Sequence, residues 1–291
     1  MLAHFLTCKG TVRAEFTVTR LQDDCFFLVG TPRGERHDFD VLEKALPNDS
    51  SVSLRNVTFE RGGLTLVGPN ARKILSNLVD ADLSNTAFPW LTTQNVTVGL
   101  ASDVRMMRIN YEGELGWELY HPISYNLHLF DEITREGAAH GLKHCGYRAI
   151  ESLRLEKSYR AMYRDMDIEH TALESGLDRF INFDKDDFTG KAALEKQKDE
   201  GLSQRMMTLQ VETVDADAYM NESIYKEGRL VGRVTSGATS HMVGNCLSMA
   251  YLEIDQVNPG TTLEIQVLEN RCPATVIADS PYDPDNTRPR S

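Results

Sequence analysis

Basic residues are scarce relative to acidic ones in this 291-residue chain, 31 against 43, and the formal charge of −12 opposes a phosphate backbone. Nucleic acid is therefore not an expected partner. Cysteine is sparse as well. Cys8, Cys25, Cys145, Cys246 and Cys272 lie far apart, odd in number and without a CxxC pair. That is the pattern of reduced thiols, and it points to a cytoplasmic setting, or to the mitochondrial matrix if the source is a eukaryote. No run of about eighteen apolar residues occurs, and the opening MLAHFLTCKG lacks a signal-peptide core, so no membrane association and no secretion are expected. His140, His144 and Cys145 are spaced as metal ligands can be, but Gly141 and Gly146 interrupt any helix around them and no fourth ligand accompanies them. No metal site is expected. The Gly68-Pro69-Asn70 turn lacks the glycine spacing and the lysine of a phosphate loop.

What is present is an ordinary globular composition, 41% hydrophobic and 25% charged, in a length that suits two domains. VRAEFTVTRL and CFFLVG, separated by Asp23-Asp24, predict a β-hairpin. Residues 34–46 predict an amphipathic helix stopped by Pro47, and SVSLRNVTF predicts a strand. GGLTLVGPNARKILSNLV reads as strand, turn and helix, with Ile74, Leu75 and Leu78 inward. Ser124 is placed to cap a helix reaching Gly141 with Leu127, Phe130 and Ile133 buried. Another helix starts near Gly146 and carries SLRLEK, where Arg154 and Lys157 are possible partners for Glu156. RFINF reads as a short strand, and Thr189 as the cap of a helix that stops at Gly201. Composition then changes. At least five short strands follow from Arg205, the pattern of a small β-barrel or sandwich, and the turn-rich tail is expected at the surface.

The stretch RINYEGELGWELYHP, residues 108–122, is the centre of the functional reading. Alternation puts Glu118 and Tyr120 on one face and Leu119 on the other, in the core. Gly113 and Gly116 allow a tight turn and close backbone approach just after Tyr111. This is one wall of a site for a flat, hydrogen-bonding heterocycle, or else a hairpin with solvated glutamates. Glu15, between Ala14 and Phe16, shares a face with Arg13 and Thr17, where a solvated side chain is the simplest expectation.

YEGELGWELY, SLRLEK, ALESGLDRFINFDKDDFTGKAAL and GRLVGRVTSG, in that order, resemble the folate-binding region of the dimethylglycine and sarcosine dehydrogenases, within the glycine-cleavage T-protein superfamily. The resemblance covers nearly the whole chain. VRAEFTV is similar to the dimethylglycine dehydrogenase branch, with Glu15 where the T-protein branch has an aspartate. It implies an α+β architecture: a T-protein-like folate-binding α/β domain over residues 1–202, then a small β-barrel with tail over 203–291. The family's domain opens before the hairpin, so the resemblance also implies a missing segment or a second polypeptide that completes it.

The implied cofactor is tetrahydrofolate, with Tyr111, Glu118, Leu119 (through its backbone), Tyr120, Glu156, Arg179 and Lys185 as cofactor-binding residues and Glu15 as the catalytic one. The resemblance further implies that Glu156 lines the same cavity as Glu118 and Tyr120. A carboxylate accepts the pterin 2-amino and N3–H donors. Tyrosine rings offer faces to the pterin and aminobenzoyl groups. Arg179 stands where the dehydrogenases usually have an aromatic residue, and Lys185 where a basic residue pairs with the glutamate tail. The implied activity is aminomethyltransferase-like transfer of a one-carbon unit from an N-methyl amine to tetrahydrofolate. No dinucleotide-binding glycine fingerprint is present, so no flavin is expected in this chain and the amine's oxidation falls to a flavoprotein oxidase, as partner or preceding domain. Two other functions fit: a folate-dependent demethylase acting without a flavoprotein, and a non-catalytic folate-binding module. KDDFTGKAA replaces the cysteine motif typical of such modules and weighs against the last.

Overall fold

The computed structural model describes residues 1–213 and 215–291. They form two compact units, one from Met1–Lys44 with Glu151–Tyr282, the other from Ala45–Ile150 with Asp283–Ser291.

In the first unit the expected hairpin is present as β2 (Val12–Gln22) and β3 (Cys25–Gly30). An unanticipated strand, β1 (Leu2–Leu6), lies on the other side of β2 and pairs His4 with Glu15. Alternation holds: Val12, Ala14 and Phe16 are buried. The helix α1 (Glu35–Lys44) follows a single 3₁₀ turn. After Ser203 come β8 (Gln204–Val211), β9 (Ser223–Lys226), β10 (Arg229–Thr239), β11 (Cys246–Glu253), β12 (Thr262–Val267) and β13 (Asn270–Ile277). They close into a six-stranded antiparallel barrel, which leaves no unpaired sheet edge. Leu209, Ile224, Val234, Ile265 and Val276 fill its interior.

RFINF is not a strand. Asp178–Phe180 make a 3₁₀ turn, and Arg179 and Phe180 are exposed. Strand-forming side chains take up ladder geometry only where a neighbour supplies the pairing. The helix α5 (Lys191–Glu200) ends at Gly201 with φ +87°, as expected, but it starts from Gly190 with no side-chain cap from Thr189.

In the second unit β4 (Arg61–Val67), β5 (Thr93–Val98), β6 (Ala101–Met107) and β7 (Gly116–Pro122) form an antiparallel sheet in the order β4-β7-β6-β5. The short helix α2 (Ala71–Ser76) buries Ile74 and Leu75, with Leu78 half-buried beyond it. SVSLRNVTF is irregular instead of a strand, and a turn appears only at its end. There the Asp49 and Asn56 side chains accept the amides of Ser51 and Thr58, local bonds that compete with a ladder. The helix α3 (Asn126–Gly137) is shorter than predicted, follows a 3₁₀ turn instead of a Ser124 cap, and turns a different stripe inward. Leu129, Ile133 and Gly137 are buried at helical spacing, whereas Leu127 and Phe130 are exposed. Nor is the tail wholly superficial. Pro289 in α6 (Thr287–Arg290) is buried, and Arg108 donates to the carbonyl oxygens of Pro289 at 3.2 Å and Ser291 at 2.8 Å. No helix among the described residues is long and apolar enough to cross a membrane.

The helix α4 (Tyr147–Glu156) ends inside the first unit, with Glu151, Ser152, Arg154, Leu155 and Glu156 all buried. So many buried polar groups require partners. Arg154 supplies two of its own, reaching Asp165 at 2.6 Å and Glu151 at 3.0 Å. Asp165 also accepts from the Thr235 and Ser236 hydroxyls and the Ala161 amide. Burial opposes its charge, yet Arg154 and those donors hold its carboxyl below the usual carboxylate range.

Candidate functional site

The wall expected around residues 108–122 is built in the second unit. Asn110 stitches the turn: its Oδ1 accepts from the Glu112 and Gly113 amides at 3.1 and 2.8 Å, and its Nδ2 donates to the Glu114 carbonyl at 2.7 Å. Gly113 takes φ +72°. Gly116 serves the other purpose, since a Cβ there would stand 2.5 Å from the Leu66 carbonyl oxygen of β4. β7 then runs as a central strand, with Leu119 fully buried between Leu64 of β4 and Met106 of β6 and its backbone inside the sheet.

Glu118 and Tyr120 share the other face, both half-buried, and the Tyr120 hydroxyl donates to Glu118 Oε2 at 2.8 Å. Burial pushes the Glu118 carboxyl up to about 7; the Tyr120 bond works against that rise, and the nearby Glu112 carboxylate adds to it. Glu112, which sequence reasoning did not single out, is itself only 6% exposed, and burial raises its carboxyl too. Its Oε2 accepts the Tyr111 amide at 3.0 Å, which fixes the half-buried Tyr111 beside it. Asn110 followed by Gly113 is the sequence signal for such a turn. Burial likewise raises Tyr120, so its hydroxyl stays a donor.

The remaining candidates lie in the first unit. Glu156 closes α4 and is 1% exposed. Arg154 is committed to Asp165 and Glu151, and Lys157 donates to the Tyr282 carbonyl at 3.1 Å. Instead, Glu156 Oε1 accepts the Ser240 hydroxyl at 2.7 Å and the Met242 amide at 3.0 Å. Its Oε2 is buried and has no hydrogen-bond partner among the described residues. Ser240 and Met242 lie just after the GRVTSG motif and carry no sequence signal of their own.

Glu15 is not simply solvated, as its strand position suggested. His4 Nε2 lies 2.8 Å from its Oε2, and the histidine is largely buried. The His4 ring contacts Phe180 at 5.1 Å between centroids, and the Arg179 guanidinium sits over the same phenyl ring at 4.8 Å. A string of contacts thus links Glu15 to Arg179 through two residues that sequence reasoning missed. Lys185 stands apart and exposed, its carbonyl accepting from Lys191 Nζ at 2.7 Å.

The fold has a close counterpart of known class. The glycine cleavage system aminomethyltransferase T from Bartonella henselae superposes with a TM-score of 0.84 over 97% of this chain and 75% of that one, at 22% identity. Residues 1–185 match the GCVT N-terminal domain, and residues 204–283 the glycine cleavage T-protein C-terminal barrel domain. The chain belongs to the glycine cleavage T-protein family and is aminomethyltransferase-like. It is similar to Homo sapiens mitochondrial dimethylglycine dehydrogenase, 37% identical over 99% of this chain and 34% of that protein. Mus musculus mitochondrial sarcosine dehydrogenase is 32% identical over 97% of this chain and 33% of its own length. A Thermoanaerobacter aminomethyltransferase is 29% identical over 94% of the chain and 73% of that protein. The chain spans about a third of the length of the two dehydrogenases.

Proposed function

We propose that this chain binds tetrahydrofolate and places on it the one-carbon unit of an N-methyl amine of the dimethylglycine or sarcosine type. The observation that carries the reading is the buried, unpartnered Oε2 of Glu156. Leaving such an acceptor unmet costs on the order of 1–3 kcal/mol, so it calls for a donor from a bound molecule. The pterin 2-amino and N3–H groups are donors of that kind, and membership in a folate-dependent family supports the choice.

Glu118, Tyr120 and Tyr111 in the second unit offer a carboxyl, a hydroxyl and ring faces suited to the same chemistry, with Leu119 fixing the strand that presents them. Arg179 and Lys185 are exposed cations in the first unit, Arg179 suited to stacking and Lys185 to pairing with a carboxylate tail. Tetrahydrofolate, when bound, supplies the nucleophilic nitrogen that accepts the one-carbon unit. Glu15, bonded to His4, forms a carboxylate–imidazole pair able to take up the proton set free. A flavoprotein oxidase, in the same polypeptide or a separate one, would first form the electrophilic iminium; the greater length of the related dehydrogenases motivates that partner. Their mitochondrial location supports the matrix for a eukaryotic source. Division of the chain into a folate-binding part, 1–202, and a barrel, 203–291, belongs to the same proposal and is supported by the two domain matches.

Isothermal titration of the purified chain with tetrahydrofolate tests the reading. Saturable one-to-one binding is expected, weakened in Glu156→Gln. No binding by the folded chain would end the folate assignment. Supplying dimethylglycine with and without a flavoprotein oxidase then shows whether transfer depends on that partner. Glu15→Gln is expected to slow transfer by about 10²-fold or more at nearly unchanged affinity. A Glu15→Gln protein with full turnover would remove Glu15 from the reaction.

A further inference from the structure

The sheet of the second unit has two faces with different uses. Strand pairing sets Thr65 opposite Glu118 and Gly63 opposite Tyr120, on one face, and sets Leu64 and Leu66 opposite Leu119 and Trp117, on the other. Over the Leu64 and Leu66 face, α2, α3 and the segment 140–145 surround an open cleft of about 610 Å³, within the range of small-molecule sites. Leu64, Leu66, Ile74, Ile133 and Leu142 give it an apolar floor.

Its rim carries one cation and is otherwise neutral. His140, Lys143 and His144 stand there, and no aspartate or glutamate lines the cleft among the described residues, in a chain with 43 acidic side chains against 31 basic. Lys143 is exposed and makes no ion pair among the described residues. His144 lies flat against Phe130, with centroids 4.9 Å apart and planes at 17°, and makes a planar wall. The rim segment is held in place: Asn70 Nδ2 donates to the His140 carbonyl at 3.1 Å, and the Leu142 amide to the Gly137 carbonyl at 3.0 Å. Thr134 of α3 also lines the cleft, with a hydroxyl shielded from solvent and without a hydrogen-bond partner among the described residues.

We propose that this cleft binds a flat aromatic monocarboxylate, on the face of the sheet opposite Glu118. The ring lies on the apolar floor against the His144 and Phe130 wall, and the carboxylate points to Lys143 and His140. Each feature of the cleft selects one part of such a molecule: the floor its body, the stacked wall its plane, the unopposed Lys143 ammonium its charge. The inference is independent of tetrahydrofolate binding, because none of the residues assigned to that role lines the cleft.

The test uses 2-naphthoate, followed by its own fluorescence as the intact chain is titrated, with the uncharged 2-naphthalenemethanol as control. Saturable one-to-one binding of naphthoate is expected, about tenfold tighter than that of the alcohol and weaker at high salt. Lys143→Glu, at an exposed position, is expected to abolish that preference while leaving the fold intact by circular dichroism. Phe130→Ala is expected to weaken both compounds, and Glu118→Gln to change neither. The proposal is overturned by an absence of saturable binding at millimolar naphthoate, or by an affinity that Lys143→Glu leaves unchanged. It is equally overturned if Glu118→Gln, and not Lys143→Glu, removes binding, since the probe would then sit on the opposite face.

Discussion

Glu118, half-buried, and Glu156, buried, one in each compact unit, are carboxyl groups held in different ways. Glu156 ends a helix and is held by two donors on a single oxygen, the Ser240 hydroxyl and the Met242 amide. Glu118 sits on a strand beside another buried acid, Glu112, with a single donor from Tyr120, and its carboxyl rises to about 7. At Glu118 burial favours the protonated form, which makes ligand binding there a competition with protons.

The sharpest way to set both apart from a purely structural carboxyl is Asp165, whose oxygens are all engaged by Arg154, Thr235, Ser236 and Ala161. Asp165→Ala strands the buried Arg154, and a loss of about 3–5 kcal/mol is expected in urea denaturation. A loss below about 1 kcal/mol would mean that the network adds little beyond packing. Glu156→Gln is expected to cost tetrahydrofolate about 1–3 kcal/mol of affinity, roughly five- to 150-fold, because an acceptor becomes a donor beside the ligand's donors. Its effect on the urea midpoint should be smaller than that of Asp165→Ala. Affinity equal to that of the unmodified chain would make Glu156 a structural residue like Asp165.

Glu118 gives the comparison its pH dependence. Its folded-state value of about 7 lies above the ordinary 4.5, so the folded chain holds an extra proton between those pH values. The associated stability is present below about pH 4.5 and is lost as pH rises through about 7. Relative to Glu118→Gln, whose amide does not titrate, the unmodified chain should therefore lose stability in that window as pH rises. Ligand donors need the charged form, so tetrahydrofolate should bind up to tenfold more weakly per pH unit below about 7 and evenly above it. A flat profile from pH 5 to 8 would sink this part. Tyr120→Phe is the smallest change: it removes a bond of about 0.5–1.5 kcal/mol to the carboxylate and should move the midpoint of the binding profile to higher pH. A midpoint that falls instead would show that Tyr120 acts through packing.

The two carboxyls also differ in how far the sequence announces them. Alternation in GWELY was enough to place Glu118 and Tyr120 on one face and Leu119 in the core, and the two glycines foretold a crowded turn. The barrel strands were legible for the same reason, since a half-buried strand carries its own period of two. SVSLRNVTF and RFINF have similar composition but find no ladder partner among the described residues, and neither is a strand. In α3 two apolar stripes compete, and packing buries Leu129 with Ile133 while Leu127 stays outside. Glu156 could be named from its motif, yet its partners are 84 and 86 residues away, and Arg154, two residues before it, is claimed by Asp165.

By itself, then, the sequence determined a run of short strands after Arg205, the face on which Glu118 and Tyr120 stand, and the family. These follow from local periodicity and from motifs whose residues lie within one strand or turn. Only the tertiary structure decided that β1 covers Glu15 with His4, that Glu112 is buried beside Glu118, and that Glu156 keeps one oxygen without a partner. Each of these depends on which distant groups compete for a buried charge. That competition is settled by solvent exclusion and geometry, which no local pattern of residues encodes.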